Sequence, residues 1–103
     1  MTEPVALFIV HKTQPGQREA VRAVWMKHMA PAIDANPGHL AYVYSFDQGD
    51  PDGICAFQLY ASQTEADAFL SNAAYRAYLE EVEPLLAGSP QVKSLQPQWR
   101  KRG

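Results

Sequence analysis

The chain has 103 residues, a formal net charge of −2 and a hydrophobic fraction of 47%. This length gives room for one domain with one hydrophobic core, and the composition excludes a disordered chain. The charge provides no positive field for nucleic acid or an anionic membrane surface, so neither is an expected partner. Cys55 is the only cysteine, which excludes an internal disulfide and agrees with a cytoplasmic location. The first apolar run, residues 5–10, is too short for a signal sequence or a membrane span.

The first half of the chain predicts a strand, a helix and a second strand. Residues 5–10 are continuously apolar and β-prone, which is typical of a strand buried on both faces. A helix is predicted from about Gln17, because apolar residues then recur at spacings of three and four. Pro31 has no N–H to donate to the preceding turn, so the helix is expected to bend or end near it. The alternating residues 40–46 predict the second strand.

The second half begins with a run of turn residues and continues with another apolar segment. Ser62 and Glu65 form a capping box, in which the serine hydroxyl accepts from the Glu65 amide and the glutamate reaches back. This motif predicts that a helix starts directly after the third strand. The predicted elements are, in order, a turn at 47–53, a strand at 54–61, a helix interrupted near 71–72 and ending at Gly88, and a short strand at 92–96.

The element order strand–helix–strand–strand–helix–strand predicts two split β-α-β units. The expected fold is therefore an α+β ferredoxin-like plait, with an antiparallel four-stranded sheet and its helices on one face. We interpret residues 1–103 as a single domain with a core at about 5–96 and a C-terminal tail at 97–103. Strands one and three lie at the centre of this topology, which agrees with their lack of polar alternation.

Helices on one face leave the other face of the sheet without a cover. Monomers rarely expose apolar patches larger than a few hundred Å². We therefore expect a homodimer in which the two sheets pack face to face. The basic run at residues 100–102 is interpreted as a solubilising tail rather than a contact arm. The outer face is predicted to carry one of two sets of alternate residues from the central strands. One set is Ala6, Phe8, Val10, Cys55, Phe57 and Leu59, and the other consists of the residues that alternate with them.

The histidines do not have the spacing of a metal site. His11 ends the first strand and His39 begins the second, so these two residues are expected at opposite ends of the sheet. His28 lies on the apolar face of the first helix next to Trp25. A histidine in this position is more often a satisfied core residue, but it would be the natural base if a pocket lies beneath the helix. No phosphate-binding loop, dinucleotide fingerprint or G-x-S-x-G motif is present.

Gln58 is an amide in the middle of a predicted central strand. If it were buried without partners, it would destabilise the fold by about 1–3 kcal/mol. It is therefore expected to face a hydrogen-bond partner, the dimer interface or a ligand, and the sequence leaves these alternatives open. Tyr60 shares its face of the strand, and a buried phenol also needs a partner.

Two segments resemble the antibiotic biosynthesis monooxygenase family. The first is Asn36-Pro37-Gly38-His39-Leu40-Ala41-Tyr42, and the second runs from Phe57-Gln58-Leu59-Tyr60 through Glu65-Ala66. The resemblance extends over about 5–95. It implies a dimeric α/β barrel, in which two ferredoxin-like chains face each other through their sheets and each holds a cavity between sheet and helices. Members include cofactor-free oxygenases of quinols and polyketide phenols, haem-degrading enzymes and many proteins of unknown role.

The chain departs from the family pattern at two positions. Where many members have glutamate on the third strand, this chain has Gln58, although it keeps the aromatic Tyr60 two residues later. Where many have histidine in the following helix, it has Phe69, which also stands near the iron-ligating position of the haem-degrading branch. Both replacements exchange a group suited to proton transfer near neutral pH for one that does not titrate. Neither haem nor any other cofactor or metal is therefore expected.

The resemblance implies a cofactor-independent monooxygenase that acts on a small phenol or quinol. In this mechanism the substrate is deprotonated, gives an electron to O₂ and recombines with the resulting radical. Tyr60 and Gln58 are expected to orient the substrate oxygens, with His28 as the base. The alternative is a non-catalytic small-molecule-binding or stress-response protein, and a purely structural subunit would require a filled interior. The expected walls of the pocket are Ile9, Trp25, Tyr42, Phe69 and Tyr75.

Overall fold

A computed structural model describes residues 3–101 as one four-stranded sheet with helices on one of its faces. The strands follow each other in the spatial order β2-β3-β1-β4, and each pair of neighbours is antiparallel. The elements are β1 (Val5–Lys12), α1 (Arg18–Asp34), β2 (His39–Phe46), β3 (Gly53–Tyr60), α2 (Gln63–Phe69), α3 (Ala73–Val82) and β4 (Gln91–Leu95).

This strand order is the one that two split β-α-β units produce, so the predicted ferredoxin-like α+β fold is confirmed. The two strands without polar alternation, β1 and β3, are the central pair. They are joined in register along their whole length, from Val5 opposite Tyr60 to Lys12 opposite Gly53. The edge strands β2 and β4 carry the more exposed residues.

The first helix agrees with the sequence prediction and the second differs from it at a proline. α1 ends at Asp34, close to Pro31, near which it was expected to bend or end. The second helical region ends at Val82 rather than at Gly88 and continues only as a 3₁₀ turn, Glu83–Leu85. Pro84 has no amide N–H, so the α-helical hydrogen bond to the preceding turn cannot form at this position. The predicted interruption near 71–72 separates α2 from α3, and the Asn72 side chain caps the second of them.

The core lies between the helices and one face of the sheet. Val21 of α1, Ile54 of β3 and Val82 of α3 are almost fully buried within it. Fully burying an aliphatic side chain of this kind stabilises the fold by roughly 1.5–3 kcal/mol. Because side chains alternate along a strand, the odd-numbered residues of β1 and the even-numbered residues of β3 face the helices, as do the even-numbered residues of β2 from Tyr42 onward. A β-bulge between His39 and Ala41 shifts the register, so that His39 also lies on this face, opposite Tyr60.

Arg18 links the start of α1 to the turn between β2 and β3. Its Nη1 donates to the backbone carbonyls of Asp47, Asp50 and Gly53 at 3.1, 2.9 and 3.2 Å. Its guanidinium also lies 4.1 Å from the centre of the Phe46 ring. The β2–β3 turn and the first helix are therefore held together, which places α1 over the aromatic residues of β2.

The face turned away from the helices carries the set that includes Phe8 and Phe57. These two rings belong to directly opposed residues of β1 and β3, and Phe8 is 36% exposed. The exposed Val43 lies on the same face of β2, opposite Phe57. Residues 97–100 lie beside Leu59 on this face, whereas Arg102 of the basic tail lies outside the described residues.

We expect that Ser62→Ala lowers the free energy of unfolding by about 0.5–2 kcal/mol, because it removes the N-cap of α2. The Ser62 hydroxyl accepts from the Glu65 amide at 3.2 Å. Urea unfolding followed by circular dichroism measures the change, with Ser71→Ala at an exposed serine as the matched control. Equal stability of the two variants would contradict the capping role.

Candidate functional site

A cavity of about 120 Å³ lies between the inner face of the sheet and helices α1 and α3. Its walls are mostly aromatic and aliphatic, as in small-molecule sites generally. The cavity is closed at one end by the segment that leads into β4. It is lined by Ile9, His11, Trp25, Met29, Tyr42, Tyr44, Ala56, Gln58, Tyr75, Tyr78, Leu79, Leu86, Pro90 and Val92.

Five residues expected at the site from the sequence line this cavity. They come from five different elements, which the antiparallel register and the packing of α1 and α3 bring together. Tyr60 and Phe69 do not line it and belong to the buried core instead. The five lining residues are Gln58, Ile9, Trp25, Tyr42 and Tyr75.

His28 lies outside the cavity. Its Nε2 is 2.8 Å from Oε1 of Glu81 on α3, and Lys27 Nζ lies 3.1 Å from the same oxygen. Hydrogen bonds from His28 and Lys27 hold the pKa of the Glu81 carboxyl below its usual range. The base role expected for His28 requires an imidazole beneath α1, whereas this imidazole joins α1 to α3 at the surface.

The turn between α1 and β2 orients the side chain of Asn36. The backbone N–H of Gly38 donates to Asn36 Oδ1 at 3.2 Å, which fixes which end of the amide is the acceptor. The Asn36 Nδ2 group therefore donates to Nδ1 of His39 at 2.9 Å. Because Nδ1 accepts, the proton of a neutral His39 ring lies on Nε2.

This tautomer of His39 determines the orientation of Gln58. The His39 Nε2–H points at Gln58 Oε1 at 3.4 Å, and the Tyr60 hydroxyl donates to the same oxygen at 2.6 Å. Both lone pairs of the amide oxygen are then occupied. The NH₂ group of Gln58 has no partner among residues 3–101, and since Gln58 lines the cavity, this donor is available to a bound molecule.

Burial keeps three tyrosines of the wall protonated at neutral pH. Burial raises the pKa of Tyr42 to about 12 and also raises the pKa values of Tyr44 and Tyr78. The Trp25 indole N–H is close enough to the Tyr42 hydroxyl to oppose this rise, but without the geometry of a hydrogen bond. The Trp25 and Tyr44 rings stack at 4.3 Å. No charged side chain of residues 3–101 lines the cavity.

Three buried polar atoms have no hydrogen-bond partner in the described part of the chain: His11 Nδ1, Trp25 Nε1 and Tyr44 Oη. All three belong to side chains of the cavity wall. Buried polar groups are hydrogen-bonded in the great majority of cases. The three atoms without partners therefore give the cavity wall polar groups at three defined positions. Burial also lowers the pKa of His11.

The sequence analysis did not select His11, His39 or Tyr44 for this site. For His11 and Tyr44 a signal was present, because they share a face with Ile9 and Tyr42 on their own strands. His39 was placed correctly at the start of β2, but its contact with Gln58 depends on side-chain orientation. Its imidazole packs edge-on against the Phe69 ring, with 4.6 Å between ring centres.

Neither a metal-binding cluster nor a membrane-spanning helix is found between residues 3 and 101. No group of three or more histidine, cysteine, aspartate or glutamate side chains is placed to hold a metal ion. In the same range, none of the helices combines the length and hydropathy needed to cross a bilayer.

The fold and the cavity together define a ferredoxin-like domain with an aromatic-walled cavity between sheet and helices. The profile of the antibiotic biosynthesis monooxygenase family matches residues 4–81. The chain belongs to this family, which confirms the resemblance seen in the sequence. A search of curated proteins gave no match.

Solved structures of similar proteins cover nearly the whole chain. A protein from Chloroflexus aurantiacus J-10-fl that is named for the antibiotic biosynthesis monooxygenases is 25% identical, with a TM-score of 0.84 over 97% of this chain and 98% of the other. Rv0793 from Mycobacterium tuberculosis is 24% identical, with a TM-score of 0.85 over 97% and 100%. NE2512 from Nitrosomonas europaea, a protein of unknown function, is 21% identical, with a TM-score of 0.82 over 97% and 94%. The last two similarities establish the fold alone.

We expect the protein to be less stable at pH 5 than at pH 7.5. Burial lowers the pKa values of His11 and His39 below their ordinary value of 6.5. Between that value and the lowered one, the unfolded chain binds protons that the folded chain does not, so stability falls as pH falls. The pKa values of Asp50 and Glu81 are lowered from 3.8 and 4.5, so their contribution lies at still lower pH.

Urea unfolding at the two pH values measures this difference. His11→Asn removes one of the two contributing groups and should reduce the difference between the two pH values. An unchanged difference in the variant would show that His11 is not linked to folding in this range.

Proposed function

We propose that this protein is a cofactor-independent monooxygenase that acts on a small phenol or quinol bound in the cavity. The observation that carries this proposal is the free NH₂ group of Gln58 in a cavity with mostly aromatic and aliphatic walls. An aromatic wall suits a planar ring, and a fixed donor suits a phenolic oxygen on that ring. Membership of the family and the similar protein from Chloroflexus aurantiacus support the reaction class.

In the proposed reaction the substrate supplies all the electrons. Loss of the hydroxyl proton gives a phenolate, which transfers one electron to O₂, and the radical pair combines to form a C–O bond to a ring carbon. Cleavage of the O–O bond then releases water and leaves a carbonyl at that carbon. One phenol and one O₂ give one quinone and one water, so the reaction needs no external reductant.

The side chains around Gln58 have distinct roles in this proposal. Gln58 donates to an oxygen of the substrate, and the Tyr60 hydroxyl donates to the amide oxygen of Gln58 and holds it in place. Tyr60 is therefore a positioning residue rather than a group that touches the substrate. Ile9, Trp25, Tyr42 and Tyr75 form walls that exclude water and keep the ring in place.

The second candidate is a binding or stress-response protein with the same cavity and no turnover. The observation in its favour is that Gln58 stands where many relatives have glutamate, since an amide cannot take the substrate proton. The two candidates bind the same chemical class and differ only in whether oxygen is consumed.

We further propose that the protein works in the cytoplasm as a homodimer. The outer face of the sheet supports the dimer, because Phe8 and Val43 are exposed there beside Phe57. A face-to-face pairing of two sheets would remove these side chains from water. A site in each chain would then be held on a rigid double sheet.

We expect purified protein to consume oxygen with quinols above the rate of autoxidation, with a chelator present and without added flavin. Gln58→Glu should be faster, because a carboxylate in this position takes the substrate proton. Tyr60→Phe should weaken binding by up to about tenfold, because it removes the hydrogen bond, of about 0.5–1.5 kcal/mol, that holds the Gln58 amide in its binding orientation. Oxygen-electrode traces with single-ring and two-ring quinols measure both effects.

Gln48→Glu is the matched control, because it adds the same charge at an exposed turn residue far from the cavity. If wild type and Gln58→Glu both bind quinols but neither consumes oxygen above background, the binding function replaces the oxygenase. If no quinol binds to either, both candidates fail.

We expect the wild type to sediment as a dimer at micromolar concentration and Phe8→Asp to give monomer or aggregate. The charge would be buried without a partner if the sheets packed face to face. Met26→Asp, on an exposed side chain of α1, is the control and should remain dimeric. A wild type that sediments as a monomer would remove the argument for the dimer.

A further inference from the structure

The three histidines differ in whether a ring nitrogen is free to meet a molecule in the cavity. His28 is bound to Glu81 on the surface. His39 uses both nitrogens, one to accept from Asn36 and the other to donate to Gln58. His11 lines the cavity, and neither of its ring nitrogens has a partner among residues 3–101. Whichever nitrogen of neutral His11 carries the proton, the other offers a free lone pair.

No other polar group of the cavity wall takes up a proton near neutral pH. The Trp25 indole is a donor only, and the Gln58 amide does not titrate. Burial keeps the Tyr42 and Tyr44 hydroxyls protonated by raising their pKa values. Because burial lowers the pKa of His11, its imidazole is neutral at pH 7 and ready to accept.

His11 and Gln58 lie at opposite ends of the inner face of the central strands. His11 is opposite Ile54, and Gln58 is opposite Leu7, so the two positions are four residues apart along the sheet. At about 3.3 Å per residue the separation is about 13 Å, and side chains stand roughly perpendicular to a sheet. A ring with oxygens at its 1 and 4 positions, with a hydrogen bond of about 2.8 Å at each end, has a length of this order.

The size of the cavity limits the ligand further. A cavity of about 150 Å³ holds a benzene molecule. The volume of about 120 Å³ between the sheet and the helices is slightly below this, which limits the ligand to a single ring and excludes two fused rings. The aromatic walls from Trp25, Tyr42 and Tyr44 suit the faces of a flat ring.

We propose that His11 is the proton acceptor of this cavity and that the ligand is a single-ring phenol with a second oxygen in the para position, such as a 1,4-quinol. The hydroxyl at the His11 end gives its proton to the free imidazole nitrogen, which produces a phenolate and an imidazolium. The para oxygen accepts a hydrogen bond from the Gln58 NH₂ group. This assignment rests on the proposed function for its substrate class, and it names the base that the proposed reaction needs.

The test uses 4-nitrophenol, which has oxygens at both ends of one ring and changes its visible absorbance when it ionises. At a pH where the free probe is mostly neutral, wild-type protein should bind it as the phenolate. His11→Asn should abolish the phenolate band and weaken binding by up to about tenfold. 3-Nitrophenol, the isomer with the wrong geometry, should bind more weakly to the wild type. For oxygen uptake with 1,4-quinols, His11→Asn should lower kcat/KM by about a hundredfold or more.

Further variants keep the test decisive. His11→Gln repeats the measurement if His11→Asn does not fold, as judged by circular dichroism. His28→Asn is measured in parallel, and loss of the phenolate band in this variant instead of in the His11 variants would overturn the assignment. A phenolate band that survives in the His11 variants would also overturn it, and failure of the wild type to bind 4-nitrophenol would overturn the ligand class.

The two proposals fail in different experiments. If the probe binds and ionises at His11 but no quinol supports oxygen uptake, the oxygenase is lost and the His11 assignment stands. If oxygen is consumed at the same rate with His11→Asn, the assignment is lost and the oxygenase stands.

Discussion

The site depends on the requirement that a buried amide be hydrogen-bonded. Gln58 lies on a central strand, is 5% exposed and has no backbone group to satisfy its side chain. The requirement is met by Tyr60 from the same strand and His39 from the neighbouring one, both directed at the amide oxygen. Since the oxygen is fully used, the nitrogen end is turned to the cavity. The polarity of the site at this end is thus set by groups that do not line it.

This arrangement explains why the turn before β2 matters to a site some distance away. The backbone N–H of Gly38 orients Asn36, Asn36 sets the tautomer of His39, and His39 orients Gln58. A Cβ at Gly38 would overlap the Glu65 carboxylate at the start of α2, so a larger residue in this turn would displace the Glu65 side chain. Each step is an ordinary neutral hydrogen bond, typically worth about 0.5–1.5 kcal/mol, and together they select one orientation of the amide.

The two faces of the sheet separate the proposed ligand-binding side from the proposed association side. On β1, Ile9 and His11 face the cavity while Phe8 and Val10 face outward, and the alternation follows from the two-residue period of a strand. A change in register by one residue would exchange the two sides. The same backbone geometry therefore supports both the proposed catalysis and the proposed dimer.

The sequence by itself determined the element order, the central position of the two unbroken apolar strands and the fold, because these follow from local periodicity and from the few connections open to a small sheet. It also identified Gln58 as a group that needs a partner and placed Ile9, Trp25, Tyr42 and Tyr75 among the walls. The end of the second helical region at Val82 was missed, since the effect of Pro84 was not weighed against the apolar pattern.

Only the tertiary structure decided which of the two alternating sets of side chains on β1 and β3 faces the helices. Both sets are apolar, so periodicity alone does not distinguish them. It also decided where the three histidines lie. His28 looked like a cavity residue because it shares a helical stripe with Trp25, yet the packing angle of α1 against α3 directs it to Glu81. The register of β1 with β3 places His11 in the wall of the cavity. Helix packing and strand register are set by long-range contacts, and the spacing of residues along the chain does not specify them.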